Sequence, residues 1–215
     1  MGIWDAILWT AAYFGVMIFY TFLDIAVWRR LLPGLSDWLN TIAIILCASG
    51  FITLLKKRGY QFRLWANITP EGLLLALGCG ALFYLLLDLG LDPVFEQMFP
   101  QSERQYQEAV EELLQSPATG LLRVCIIAPV IEEVLVRDFV LGGLKTTCGK
   151  GVALVISSVL FALLHFNTVQ TLSAAVCGFL LGLLYLRTNS VFCCIVAHSG
   201  YNFISYLFMM EYSGR

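Results

Sequence analysis

A helix needs about 20 apolar residues to cross the hydrocarbon core of a bilayer, and this chain supplies runs of that kind repeatedly. The first covers 3–28, with Trp4 and Trp28 near its ends, Arg29 and Arg30 closing it and Pro33-Gly34 making a turn. Interfacial aromatics and flanking cations are what a span end calls for. The second covers 38–55 and stops at Lys56-Lys57-Arg58. A short amphipathic connection follows, ending in Thr69-Pro70-Glu71, which reads as a helix start with Thr69 as cap and Pro70 in the first turn. The third run covers 72–91, and four more follow at 118–144, 151–166, 168–186 and 191–210, joined by the short links "KTTCGKG", "FNT" and "RTNS". With 59% hydrophobic and 13% charged residues, no soluble domain of 215 residues could hide this much apolar surface. The expectation is an all-α polytopic membrane protein of seven to eight transmembrane helices in one integral membrane domain, 1–215.

Residues 92–117 differ. Asp92, Glu96, Glu103, Glu108, Glu111 and Glu112 stand against Arg104 alone. "SERQYQEAVEELLQS" is helically amphipathic, with Tyr106, Val110, Leu113 and Leu114 near one face. It is expected as an acidic surface segment between the N-terminal spans, 1–91, and a core at 118–210. Placing the N-terminus in the cytoplasm puts Lys56, Lys57, Arg58, Arg63, Lys145, Lys150 and Arg187 inside, against Arg29, Arg30, Arg104, Arg123 and Arg215 outside. The positive-inside rule favours that orientation. No cleavable leader is expected. A net charge of −2 argues against a nucleic-acid partner. The seven cysteines have no zinc-ribbon spacing and read as small packing residues.

Against this background "APVIEEVLVRDFVLGG", 128–143, is anomalous: it holds Glu132, Glu133, Arg137 and Asp138 at membrane depth. Each such charge costs about 2.5–3.5 kcal/mol at a helix centre, so it needs a partner or a task. Glu133 and Arg137 are one turn apart and pair on one face. Glu132 lies about 100° away round the helix and needs a different partner. Both of the chain's histidines fall on later apolar runs. His165 ends "SSVLFALLHF", one turn after Phe161, and His198 in "CCIVAHSGYNF" precedes Asn202 by one turn.

A buried carboxylate with a neutral imidazole can polarise and deprotonate water. An Asn amide and a second imidazole can donate to a developing oxyanion. Together they are the parts for hydrolysing a peptide bond without a covalent nucleophile. Three other catalytic readings compete. A zinc site can use two His and a Glu, but the H-E-x-x-H spacing is absent. A rhomboid-type serine would want Gly before "HSG", where Ala197 stands. An aspartyl intramembrane protease would want G-x-G-D, which does not occur; Asp88 in "LLLDLGLD" is expected near a span end and solvated. Outside enzymology stand a membrane scaffold or immunity protein and a transporter with a Glu/His proton relay. An Asn one turn from a His adds little to a relay and much to an oxyanion site.

Glu132-Glu133-x-x-x-Arg137, Phe161-x-x-x-His165 and His198-x-x-x-Asn202, in that order, resemble the three signature motifs of the type II CAAX prenyl endopeptidases. These are also called the CAAX protease and bacteriocin-processing, or Abi, family of glutamic intramembrane endopeptidases. The resemblance covers about 118–210. It implies a conical cavity among the late helices, Glu132 and His165 activating water, His198 and Asn202 forming the oxyanion site, and Glu133 and Arg137 as support, with no cofactor. It further implies a membrane-anchored protein or peptide tail as substrate. The compact length resembles bacterial members, and hence an inner-membrane location. No oligomeric partner is read from the sequence.

Overall fold

A computed structural model describes residues 1–213, with side chains to 211; Arg215, counted above among the outside cations, lies beyond the described residues. The described residues are helical and turn, with no strand, as expected. The chain divides into two compact units, 1–62 and 63 onward. The first is a hairpin of α1 (Ile3–Leu31) and α2 (Pro33–Lys57), in which Phe51 meets the rings of Tyr13 and Trp9 edge-on at 5.3 and 5.8 Å. A widened turn at Asp24–Trp28 lets Arg29 reach Asp24 at 2.8 Å.

The second unit contains α3 (Pro70–Met98), α4 (Pro100–Leu114), α5 (117–144), α6 (Lys150–Ala162), α7 (Thr168–Thr188) and α8 (Val191–Ser213). Thr69 caps α3, accepting from Gly72 N at 3.1 Å, with Pro70 at the first position. α3 runs on through Asp92 and Glu96, so only the second half of the acidic segment forms its own helix. Gly80 lets α3 lie against α8: a Cβ there would stand 3.0 Å from the Ala197 carbonyl.

Five helices are long and apolar enough to cross a membrane: Ile3–Leu31, Pro33–Lys57, Pro70–Met98, Thr168–Thr188 and Val191–Glu211. With them the chain is an integral membrane protein. The other two of the seven expected spans fall short for different reasons. α5 has the length but carries Arg123, Glu132, Glu133, Arg137 and Asp138. α6 has 13 residues, about 20 Å of helix at 1.5 Å per residue, against a core about 30 Å thick. It stops at Ala162, so His165 lies in the turn beyond the helix and not on the span as expected. Leu163 ends the helix with ψ near −9°, and the turn closes through Leu164 N to Phe161 O and His165 N to Ala162 O, both 3.1 Å.

Candidate active site

α5 forms the wall of the site. It is wound with two widened turns, Leu122–Ile127 and Val134–Leu141, flanking the segment that carries the glutamates. Insertions of this kind re-aim side chains and recur at functional sites. From Ile131 to Leu141 every residue is buried except Glu132. The one acid that the face argument left without a partner is thus the one that keeps an open surface.

Glu133 and Arg137 are both fully buried, with Arg137 Nε 3.0 Å from Glu133 Oε2. The Nε–H does not point at that oxygen, so the contact is an ion pair and not a hydrogen bond. Arg137 Nη2 donates to the Gly178 carbonyl of α7 at 3.3 Å, and the guanidinium lies 4.5 Å above the Phe161 ring. The carbonyl and the ring face help offset the loss of water around the cation. Gly178 is required there, because a Cβ would sit 2.9 Å from Phe161 Cδ1.

His198 is buried and spans the two glutamates. Its Nδ1 is 2.9 Å from Glu133 Oε1, while Nε2 faces Glu132 Oε2 at 3.9 Å. Glu133, ion-paired with Arg137, can only accept, so the proton is assigned to Nδ1. His165 repeats the arrangement with a different acceptor: Nδ1 is 3.2 Å from the Phe161 carbonyl. Both imidazoles therefore have Nδ1 engaged in a hydrogen bond. Phe161 joins the two, its ring edge-on to His165 at 5.3 Å and to His198 at 5.8 Å. Glu132, Glu133, Arg137, Phe161, His165 and His198 are thus one connected cluster contributed by α5, α6 with its following turn, and α8.

Asn202 sits one turn beyond His198, and its amide is engaged elsewhere, donating to the Val124 carbonyl of α5 at 2.8 Å. The cause lies in α5. Ala128 N reaches Arg123 O, five residues back. In that register residue 129 would serve Val124 O, but Pro129 has no N–H. Asn202 supplies the missing donor and keeps a second amide hydrogen. Sequence reasoning did not find this use of Asn202, although a proline inside a helical stretch was its signal.

Asp88, expected near a span end and solvated, is half-buried in the widened turn Leu87–Leu91 of α3, where it accepts from Tyr201 at 2.7 Å and Ser205 at 2.5 Å, both on α8. Asp92 likewise accepts from Ser173 of α7. These acids fasten α3 to the helices behind the site. A zinc site would need a third converging ligand; among the described residues no three His, Cys, Asp or Glu side chains are grouped to hold a metal ion. All seven cysteines are free thiols, and Cys125, Cys177, Cys193 and Cys194 are buried.

The candidate site is thus a buried Glu–Arg pair and two oriented imidazoles around a less buried acid, inside a helical membrane protein. Residues 114–204 match the family described as type II CAAX prenyl endopeptidase Rce1-like. The resemblance read from the three motifs is borne out: the segment that holds every candidate residue is the one that matches this family. Over 109 residues the chain is 27% identical to a Bacillus subtilis (strain 168) protein described as "Putative membrane peptidase YdiL". That match takes in 51% of this chain and 45% of that protein, so the chain spans less than half of that relative's length. No solved structure matches the chain.

Proposed function

We propose that this protein is an intramembrane endopeptidase that hydrolyses a peptide bond in a membrane-anchored protein or peptide tail, working in a bacterial inner membrane with its N-terminus in the cytoplasm. The observation that carries the reading is the placement of Glu132, the single residue between Ile131 and Leu141 with open surface, facing His198 Nε2 across 3.9 Å. That gap is too long for a direct hydrogen bond and suits a small polar group between the two.

In this reading Glu132 takes a proton from the attacking water, and His165 Nε2, free of a proton while Nδ1 serves Phe161 O, accepts a second hydrogen bond from the same water. His198 and Asn202 face the oxygen of the tetrahedral intermediate. Asn202 does so with the amide hydrogen not spent on Val124 O. His198 does so through Nε2 when its ring is protonated at both nitrogens, Nδ1 staying on Glu133. Glu133, Arg137 and Phe161 hold the imidazoles in place. The proton taken by Glu132 passes to the leaving amine, so the reaction consumes one water and leaves the enzyme unchanged.

Comparing peptide termini in host membranes containing the wild type or Glu132→Ala tests this. New termini present only with the wild type, and reproduced by purified protein in proteoliposomes, are expected. Identical termini in both, with no cleavage by the purified protein, would sink the reading in favour of a non-catalytic scaffold.

A further inference from the structure

The acidic helix α4 has no place in the chemistry above, yet its first turn is bonded to the turn that carries His165. Ser102 Oγ donates to Asn167 Oδ1 at 2.8 Å, and Asn167 Nδ2 donates back to the Ser102 carbonyl at 2.7 Å. Val169 N donates to Ser102 Oγ at 3.2 Å and to Asn167 Oδ1 at 3.0 Å. Asn167 is also the N-cap of α7, its Oδ1 reaching Gln170 N as well. Two residues earlier is His165, whose own carbonyl accepts from Thr171 Oγ1 at 3.2 Å. Ser102 is 9% exposed, so little water competes for its hydroxyl.

The need for such a fastening follows from α6. A 13-residue helix is too short to cross the hydrocarbon by itself, and the turn after it leaves peptide groups without helical partners. Irregular backbone at that depth persists only where protein or a wet cavity satisfies it. Within the turn, His165 is held by its amide on Ala162 O and its ring on Phe161 O, both on the helix it has just left. The bonds that fix the far end of the turn come from Thr171 of α7 and from Ser102 of α4.

Resting on the endopeptidase reading, we propose that Ser102 and Asn167 are positioning residues for the reaction: α4 is part of the catalytic apparatus and clamps the His165 turn so that Nε2 stays aimed at the water beside Glu132. Their action is on geometry and not on substrate binding. A displacement of about 1 Å at a reacting group can cost on the order of 10²-fold in rate.

Asn167 also caps α7, so its loss threatens folding; Ser102 is the cleaner position. Ser102→Ala and Ser102→Thr are compared with the wild type by hydrogen–deuterium exchange over 163–170 and by cleavage kinetics in proteoliposomes, with Glu132→Ala alongside. Ser102→Ala is expected to speed exchange at Val169 and its neighbours, leave 191–211 as protected as before, and lower kcat at least tenfold with KM unchanged. Ser102→Thr, which keeps the hydroxyl, is expected to restore both. Unchanged exchange in the turn overturns the clamp whether or not the protein cleaves anything. Faster exchange with an unchanged kcat overturns the positioning role. If Glu132→Ala cleaves like the wild type, the endopeptidase reading itself has failed, and that result is separate from the exchange measurement.

Discussion

Glu133 holds Arg137 with one carboxylate oxygen, Oε2 at 3.0 Å, and His198 with the other, Oε1 at 2.9 Å. The carboxylate therefore works in two directions. It neutralises the one fully buried guanidinium on α5, and it fixes which nitrogen of His198 is free. Arg137 in turn covers the Phe161 ring, whose edges meet both imidazoles. The buried ion pair and the two imidazoles are thus linked through contacts between immediate neighbours.

The pair should show its coupling in stability. Arg137→Met leaves Glu133 charged and fully buried without its guanidinium partner, and breaking a buried pair from one side costs about 3–5 kcal/mol. Glu133→Gln strands the guanidinium and should cost a similar amount. The double variant removes both charges and should be more stable than the sum of the two losses predicts. Thermal unfolding in detergent micelles measures all four proteins; strict additivity would mean that the two groups do not interact.

Neighbouring glutamates should separate activity from stability. Glu132→Gln removes a carboxylate whose side chain is 17% exposed and which makes no direct hydrogen bond to His198. Its unfolding temperature should stay close to that of the wild type, while turnover falls by at least about 10²-fold, as loss of a general base does. Glu133→Gln should lower the unfolding temperature as well as turnover. Equal thermal losses in the two variants would contradict the division between them.

Much of this was legible in the sequence. The apolar runs announce a polytopic helical protein, and the one-turn spacing of Glu133 and Arg137 announces their pairing. The ordered motifs point to the same family that residues 114–204 match. What could not be read is where helical winding departs from regularity. Periodicity carries His165 to the end of an apolar run, whereas α6 breaks off at Ala162 and the histidine falls in a turn. Asp88 next to "LGLD" looks like a span end, and only the approach of Tyr201 and Ser205 from α8 gives its carboxylate two donors. The Ser102–Asn167 bonds join residues 65 apart in sequence, beyond the reach of any local pattern. The bonds of Asn202 and Gly178 likewise depend on tertiary contact.

Gly178 should be intolerant of even one carbon. A Cβ would press on Phe161 Cδ1 at 2.9 Å, and that ring cannot swing away without disturbing Arg137 and both imidazoles. Overpacking of this kind costs about 1–3 kcal/mol. Gly178→Ala should therefore lower the unfolding temperature and reduce turnover together, and Gly178→Ala with Phe161→Leu should recover part of the stability. A Gly178→Ala protein with full activity and wild-type stability would show that the ring has room the structure does not reveal.

The bond from Asn202 to Val124 O exists because Pro129 cannot supply an N–H, and this dependence can be tested in both directions. Asn202→Ala leaves that carbonyl without its donor, a loss of about 1–3 kcal/mol where the group is shielded from water. In a Pro129→Ala background the backbone regains an N–H at residue 129, and Val124 O has a partner within its own helix. The stability cost of Asn202→Ala should then shrink. Turnover should behave differently. If the second amide hydrogen of Asn202 serves the oxyanion, Asn202→Ala should depress kcat by about 10²-fold or more in both backgrounds. Unfolding temperatures and kcat of the four proteins decide the matter. A kcat that recovers along with stability in the Pro129→Ala background would reduce Asn202 to a helix fastening and remove it from the chemistry.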